Sequence, residues 1–451
     1  MTAGRRLCAL ALAGVALVGL TALAAALHVA GRTDITGGRL AAFVDLVALA
    51  GLIYGGAVLL VWRGAADRRA LWAVLTAAAA LRAVTLLTPP FLSTDVYRYI
   101  WDGRVQLAGI NPYRYIPADP ALAALRDPGV YAHINRADYA PTIYPPAAQM
   151  VFAGIAAVSQ TPLAVKATML AFEAVGIATL LGLLRLAGLP RERVLIYAWN
   201  PVPAWEFAGN GHVDALSVCF VALAMLAAAR RRSVLSGAAL GFAVLAKFLP
   251  GVLLPALWRR WDWRFLAAFA AVIAGLYACY ISVGRQVLGF LSGYAAEEGM
   301  QSGKGVYYLA QLGRWLPLPA QAGRIYFAVV LLALAVLGAR MVFGAEPADA
   351  PARTLRLSGN ALLLMTVLIA ALAPRYPWYY PWLLVPACLV PSAAVIWLVA
   401  ASVSVYANAL HDPLWWPALL YGPFAALAAL DFWRAARAEH CRRDFRCRPP
   451  P

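Results

Sequence analysis

The chain has 451 residues, 63% of them apolar and 13% charged, with a mean hydropathy of +0.70. This composition excludes an ordinary water-soluble domain. The formal net charge of +17 would suit a nucleic-acid partner. However, the basic residues form short clusters between apolar runs, at 63–69, 230–232, 259–264, 353–356 and 434–448. Such clusters are typical of the cytoplasmic loops of membrane proteins, so we expect membrane lipids and no nucleic acid as partners.

Apolar runs of membrane-spanning length recur along the chain. Residues 8–30, 40–62 and 71–92 form the first runs, and others follow up to residue 430. Since a helix needs about 20 residues to cross a bilayer, we expect an all-α, polytopic transmembrane bundle of about 11–13 segments, some short or broken. We expect residues 1–451 to form a single integral membrane domain, with a basic cytoplasmic tail at 434–451.

Some apolar runs do not fit simple crossings. Between residues 144 and 230 the charge pattern requires an odd number of crossings, but four apolar stretches occur, so one must be short, broken or re-entrant. Within residues 233–258, Pro250 predicts two half-helices that meet in the membrane. Arg82 and Glu173 lie in the middle of apolar runs, and we expect them to pair inside the bundle.

Residues 93–144 form the longest polar region. If the basic N-terminus lies inside, this region is the first large external loop of a multi-pass inner (plasma) membrane protein, periplasmic in a Gram-negative cell. Its first part predicts a juxtamembrane helix, because Ser93 or Thr94 can cap a helix that Gly109 and Pro112 would end.

Two polar stripes follow from helical spacing in this segment. Asp95, Arg98 and Asp102 fall at i, i+3 and i+7, which places two carboxylates and a guanidinium on one face. The neighbouring stripe consists of Tyr97, Trp101 and Arg104. These groups could serve as general base, phosphate ligand and sugar-stacking ring. The alternative is a set of surface ion pairs within an aromatic belt.

Other ionisable residues lie in apolar surroundings and are candidates for substrate contacts by that criterion. Glu206, His212 and Asp214 lie between two apolar stretches, where structural hydrogen bonding and acceptor or phosphate contact both remain open. His212 and Asp214 are two residues apart, and no second His or Cys lies near them. This spacing is poor support for a metal site, so we expect no metal. Lys247 either reaches a lipid phosphate or extends to a headgroup. Arg375, in an aromatic turn, is a phosphate ligand or an interfacial anchor.

Several short motifs resemble the GT-C superfamily of membrane glycosyltransferases, in particular its polyprenyl-phosphate-mannose dependent, bacterial mannosyltransferase-like members. The motifs are the run from Asp95 to Gly103, the segment 109–113, Tyr144 with the two prolines after it, the segment 199–201, Glu206 with the segment 211–214, and Lys247 to Pro250. The order of these motifs is more specific than any single one, and they are spread over residues 95 to about 255.

The resemblance implies transfer of a hexose, mannose first, from a polyprenyl-phosphate sugar donor to a lipid or glycan acceptor at the external face. It implies neither a nucleotide-sugar fold nor a cofactor. Carried over by position, Asp95 is the first candidate for the catalytic base and Asp102 the second. Many relatives have adjacent acids here, whereas this chain has Thr94 before Asp95, so the choice stays open. The expected substrate-binding residues are Tyr97, Arg98, Trp101, Arg104, Tyr144, Glu206, His212, Asp214, Lys247 and Arg375.

A polytopic transporter or lipid flippase is the alternative, and a non-catalytic scaffold of envelope assembly is a third possibility. A transporter predicts paired or inverted halves around a path through the bundle. The sequence has no convincing internal repeat, and its long polar loop with an acidic stripe lies on one side. Both features favour the enzyme.

Overall fold

Helices make up the ordered structure of the computed structural model, which describes residues 2–28, 35–62, 64–300, 302–303, 305–410 and 415–444. No strand occurs within these ranges. The prediction of an all-α polytopic bundle is therefore confirmed. The end of the first predicted apolar run, at residues 29–30, and residues 445–451 of the predicted tail lie outside the described residues.

The described residues form thirteen main helices. They are α1 (Ala3–Ala25), α2 (Gly37–Trp62), α3 (Arg68–Leu87), α4 (Asp95–Leu107), α5 (Pro146–Val158), α6 (Pro162–Leu186), α7 (Asp214–Ala229), α8 (Ser233–Ala246), α9 (Trp263–Ala278), α10 (Ala322–Phe343), α11 (Ala350–Leu372), α12 (Ala393–Ala401) and α13 (Trp415–Asp444). Shorter α-helices and a π-helix span Leu195–Ala198, Pro201–Pro203, Ala204–Gly209, Leu254–Leu257, Leu291–Glu297, Tyr307–Trp315 and Leu384–Ala387. The 3-10 turns are Pro120–Leu125, Tyr131–His133, Arg191–Val194, Leu249–Leu253, Ile281–Leu288, Pro377–Tyr379, Pro381–Leu383 and Ser402–Leu410.

By length and composition, six described helices can cross a membrane, namely α1, α2, α3, α6, α10 and α11. Two helix pairs would raise the number to eight if each counted as one bent span. Three shorter apolar helices, α5, α8 and Ala393–Ala407, add to the bundle. The sequence estimate of about 11–13 segments included short and broken pieces, because a run of apolar residues does not show where a helix bends.

The breaks fall where the sequence predicted irregularity. Between residues 144 and 230, the helical segment Pro201–Gly209 is bent by 119° from α7, so this is the broken stretch. Within 233–258, α8 ends at Ala246, Lys247 is extended, and short turns follow around Pro250. The first prediction is confirmed. For residues 233–258 the break is confirmed, but short turns and the four-residue helix Leu254–Leu257 follow it in place of a second half-helix. Non-helical backbone at these points exposes polar groups that a continuous helix would satisfy internally.

A buried ion pair joins α3 to α6, as the sequence predicted. Arg82 Nη2 lies 2.8 Å from Glu173 Oε1, and the two side chains are 4% and 0% exposed. Arg82 also donates through Nε to Glu173 and through Nη1 to the Ala198 carbonyl. The pair thus fixes two helices and the short segment at Ala198 relative to one another.

Replacing one member of this ion pair should lower the free energy of unfolding more than replacing both. Glu173→Leu leaves a buried guanidinium without its carboxylate, and we expect a loss of roughly 3–5 kcal/mol in stability. The double variant Arg82→Leu/Glu173→Leu should regain most of that loss, because no uncompensated charge remains. Thermal unfolding of the detergent-purified variants measures the difference. Additive losses in the double variant would contradict the pairing.

Candidate active site

A cavity of about 550 Å³ lies beside the first turn of α4. Its wall is assembled from segments far apart in the chain, at 92–98, 135–145, 246–249, 290–300 with Gly305, and 372–379. Five of the residues predicted from the sequence line this cavity. They are Asp95, Arg98, Tyr144, Lys247 and Arg375.

Asp95 begins α4 and is held from two directions. Asn135 Nδ2 donates to its Oδ1 at 3.0 Å, and the Tyr144 hydroxyl donates to its Oδ2 at 3.4 Å. Ser93 caps the turn, since its Oγ accepts from the Asp95 amide at 3.2 Å. A carboxylate in the first turn is also favoured by the helix dipole. Asp95 is only partly buried, so its oxygens stay accessible from the cavity.

Tyr144 remains a hydrogen-bond donor in this environment. Loss of solvation and the neighbouring charge of Asp95 raise the pKa of Tyr144 well above its usual value. Its hydroxyl therefore stays protonated at physiological pH and can donate to the Asp95 carboxylate.

Asp102 has a different environment, although it lies on the same stripe of α4. It is 2% exposed and is absent from the cavity wall. Arg98 Nε donates to its Oδ1 at 2.8 Å, while Thr142 Oγ1 and Gln149 Nε2 donate to its Oδ2, the latter at 2.9 Å. Its acceptor capacity is therefore largely used inside the protein.

The second stripe of α4 faces the polar segment rather than the cavity. The Tyr97 ring lies 4.7 Å from the His133 ring, and the Trp101 ring lies 5.5 Å from the Tyr131 ring. Arg104 forms an ion pair with Asp127 and donates to the Leu125 carbonyl at 2.9 Å. The structure thus places Tyr97, Trp101 and Arg104 where they hold the segment 120–134 against α4.

Lys247 reaches the cavity from the break after α8. Its Nζ lies 2.8 Å from Asp214 Oδ1 and 4.1 Å from the centroid of the Tyr379 ring. The extended backbone at Lys247 is what directs this side chain away from the helix axis. Asp214, at the start of α7, contacts the cavity only through Lys247, since it is absent from the wall.

Glu206 and His212 form a buried pair behind the aromatic wall. His212 Nδ1 lies 3.0 Å from Glu206 Oε2, and the Tyr406 hydroxyl donates to Glu206 Oε1 at 2.8 Å. The His212 ring stacks on Trp378 at 4.1 Å, and Trp378 lines the cavity. Glu206 lies in a π-helical turn, a backbone form that is frequent at functional sites.

Part of the wall was not anticipated from the sequence. Asn135 and Tyr294 contribute to it, and Tyr376 stacks on Trp378 at 4.6 Å. The Tyr294 and Tyr379 hydroxyls lie 3.0 Å apart. The aromatic turn at 376–380 was visible in the sequence, but nothing in it indicated which ring would face the cavity rather than lipid.

The described residues contain no group of three or more His, Cys, Asp or Glu side chains that could hold a metal ion. The charged wall of the cavity consists instead of carboxylate, guanidinium and ammonium groups. Such groups can bind a phosphorylated ligand and transfer protons.

Lys166 anchors the point from which the Asp95 segment leaves α3. The side chain is 2% exposed, and its Nζ donates to the carbonyls of Thr85, Leu86 and Thr88, the first two at 3.1 and 2.8 Å. These are carbonyls that a helix end leaves without partners. The cation therefore fixes the direction in which the chain continues toward Asp95.

The comparisons with known proteins include a match to a family model. The model of the MptA_B family, described as "Alpha-(1->6)-mannopyranosyltransferase, N-terminal domain", matches residues 3–262, more than half of the chain. No curated protein and no solved structure matches significantly. The matched region includes Asp95, Tyr144 and Lys247, whereas the parts of the cavity wall at 290–300 and 372–379 lie beyond it.

Close packing behind Asp95 gives a testable prediction. A Cβ at Gly103 would collide with the backbone of Phe152 and the side chain of Ala156, so α4 lies directly on α5. Gly103→Ala should push the helices apart, cost about 1–3 kcal/mol and displace Asp95. Thermal unfolding measures the loss of stability. The matched control is Gly154→Ala on α5, which has nothing within 4 Å and should be neutral or slightly stabilising. Equal stability of both variants would contradict this packing.

Proposed function

Because the chain belongs to the MptA_B family of alpha-(1->6)-mannopyranosyltransferases, we propose that it transfers mannose from polyprenyl-phosphate mannose to a lipid- or glycan-type acceptor, with Asp95 as general base. Family membership makes the protein a hexosyltransferase and favours it over the transporter and flippase alternatives. The polytopic bundle makes it a membrane protein. The linkage in the family name suggests the primary hydroxyl at carbon 6 of the acceptor sugar as the nucleophile.

The observation that carries this proposal is the environment of Asp95. Asp95 and Glu298 are the carboxylate residues in the cavity wall, and Asp95 is the one held at the head of a helix by Asn135 and Tyr144. A fixed, accessible carboxylate can take a proton from a bound hydroxyl, provided that the two lie within hydrogen-bond reach.

In the proposed reaction, the acceptor oxygen forms a bond to the anomeric carbon of mannose. The bond from that carbon to the phosphate oxygen breaks, and the electron pair leaves with the polyprenyl phosphate. Asp95 takes the hydroxyl proton, and the configuration at the anomeric carbon inverts. No redox partner is needed, and cationic side chains supply the stabilisation of the departing phosphate.

Arg98, Lys247 and Arg375 are the proposed ligands of the donor phosphate, since all three line the same cavity as Asp95. Guanidinium and ammonium groups form charge-assisted hydrogen bonds with phosphate oxygens. Apolar residues of the wall, Phe290 and Leu291 among them, offer contact to the prenyl chain. Asp214 and Tyr379 would then orient Lys247, and the Glu206–His212 pair would support Trp378 beneath the sugar.

Asp102 becomes a positioning residue in this proposal. Its carboxylate is shielded from the cavity and bonded to Arg98, Thr142 and Gln149. A base must be free to accept a new proton, and Asp102 has little capacity left. Tyr97, Trp101 and Arg104 likewise support the loop rather than the sugar.

Asp95→Asn should abolish most sugar transfer without unfolding the protein. Loss of a general base costs typically about 10²–10⁴ in kcat. The assay is transfer from radiolabelled polyprenyl-phosphate mannose by purified protein, with thermal unfolding measured in parallel. Asp102→Asn should instead lower the unfolding temperature, because it disturbs a buried network.

The matched control is Asp138→Asn, an exposed residue of the same segment that is absent from the cavity wall. It should retain full activity. Full activity of Asp95→Asn would remove Asp95 from the reaction. A folded but inactive Asp102→Asn, beside an active Asp95→Asn, would move the role of base to Asp102.

We place the active site on the external side of the inner membrane, on the basis of the basic clusters at the other helix ends. Single cysteines at Asp138 and at Arg185, in a background with the six native cysteines replaced, test this placement. A membrane-impermeant maleimide added to intact spheroplasts should label residue 138 and not residue 185. The reverse labelling would put the cavity in the cytosol and contradict a periplasmic reaction.

A further inference from the structure

A second cavity, of about 280 Å³, lies at the end of the bundle opposite to Asp95. Arg356 of α11 lines this cavity, whereas Leu372 of the same helix lines the Asp95 cavity. At 1.5 Å per residue these positions are roughly 24 Å apart along the helix. Likewise, Ala228 near the end of α7 lines the second cavity, and Asp214 at its start contacts Lys247. The two cavities are thus separated by most of the hydrocarbon thickness of a bilayer.

The second cavity has an excess of positive charge. Its wall contains four arginines and one glutamate, so four positive charges less one negative charge leave a formal charge of +3. The arginines are Arg259, Arg260, Arg353 and Arg356. Basic loops alone would satisfy the topological rule for membrane proteins, but they do not require arginines to converge on one cavity.

Glu346 neutralises only part of this charge. Its carboxylate lies 2.9 Å from Arg259 Nε and 4.0 Å from Arg353 Nε. Arg353 is further held by the Ala229 and Ala348 carbonyls, at 3.2 and 2.9 Å. Among the side chains that the structure describes, Arg260 and Arg356 form no ion pair. Arg260 lies 5.3 Å from the centroids of the Trp261 and Phe343 rings. Such cation–π contacts supply no hydrogen-bond acceptor, so both guanidinium groups keep N–H donors for an anion.

The surroundings of the cavity indicate a ligand from the membrane. Phe343, at the end of α10, lines the cavity. Only 6% of the most apolar 18-residue stretch of α10 is buried in the bundle. A helix with so little protein contact faces lipid, and the cavity adjoins its end. The cavity wall includes the aromatic residues Trp258 and Phe343, and Trp261, beside Arg260, is 77% exposed. Aromatic side chains of this kind are typical of the headgroup level of a membrane.

We propose that this cavity binds the phosphate of an anionic phospholipid headgroup, with Arg260 and Arg356 as its main ligands. Arginine matches phosphate geometry through paired N–H donors, and basic pockets between transmembrane helices are suited to anionic headgroups. The occupied site would bridge the loop after Leu254–Leu257, the end of α10 and the start of α11. Bound lipid would thus add a shared ligand to three elements that Glu346, the packing of Gly338 on Pro255 and the contact of Arg260 with the Phe343 ring already join.

Native mass spectrometry of the detergent-purified protein, titrated with phosphatidylglycerol or phosphatidylcholine, tests this proposal. The unchanged protein should bind phosphatidylglycerol in preference to phosphatidylcholine. The double variant Arg260→Gln/Arg356→Gln should bind phosphatidylglycerol at least about tenfold more weakly, since two charge-assisted contacts are lost. The matched control is Arg185→Gln/Arg191→Gln, which removes the same charge from exposed positions at the same end of the bundle. It should bind as the unchanged protein does.

A second variant protects the test against misfolding. Asn360→Asp adds a negative charge to the cavity wall without removing an arginine, and it should also weaken binding of phosphatidylglycerol. Equal losses of phosphatidylglycerol binding in the cavity variants and in the control would show that only the overall surface charge matters. That result would overturn the proposal. Competition by inorganic phosphate at equal concentration, with the same dependence on Arg356, would identify a soluble anion instead and overturn the lipid assignment.

Discussion

The carboxylate of Asp102 accepts hydrogen bonds from three parts of the chain, and the cavity wall depends on this arrangement. Arg98 belongs to α4, Thr142 to the segment before α5, and Gln149 to α5 itself. The same Arg98 also donates to the Ala140 carbonyl at 3.2 Å. Because the network is buried, a member that lost its hydrogen-bond partner would lower the stability of the fold. The network therefore holds α4, α5 and the segment before α5 in a fixed relative position. Asp95 and Tyr144 occupy the rim of this network, so their geometry follows from it.

Membrane embedding explains why such a site combines broken helices with charged groups. A regular helix satisfies its own backbone hydrogen bonds but directs few polar groups into a common space. The breaks near Lys247 and between Gly209 and Asp214 bring polar groups together. The polar groups released there are paired, as Lys247 with Asp214 and His212 with Glu206. A donor whose phosphate lies at headgroup depth would meet these groups at the ends of the helices, while its chain stays in lipid.

The sequence was sufficient for the bundle, the buried Arg82–Glu173 pair and the break beside Pro250, because apolar length, charge placement and proline each have a direct structural consequence. It did not predict the bend of 112° between Ala278 and Ile281. The site candidates taken from the sequence included Asp95, Arg98, Tyr144, Lys247 and Arg375, which line one cavity. Helical spacing could not separate the roles of Asp95 and Asp102, since both lie on one stripe and only burial by Thr142 and Gln149 distinguishes them. Asn135 and Trp378 were missed because long-range packing, not local pattern, brings them to the wall.

A structure of the protein with a non-transferable phosphonate analogue of polyprenyl-phosphate mannose would test the central claim most directly. We predict that the phosphonate contacts Lys247 and Arg375, and that the mannose lies in the cavity beside Asp95. An acceptor hydroxyl placed against the anomeric carbon should then lie about 3 Å from the Asp95 carboxylate. A donor sugar bound in a space that Asp95 does not line would contradict the account.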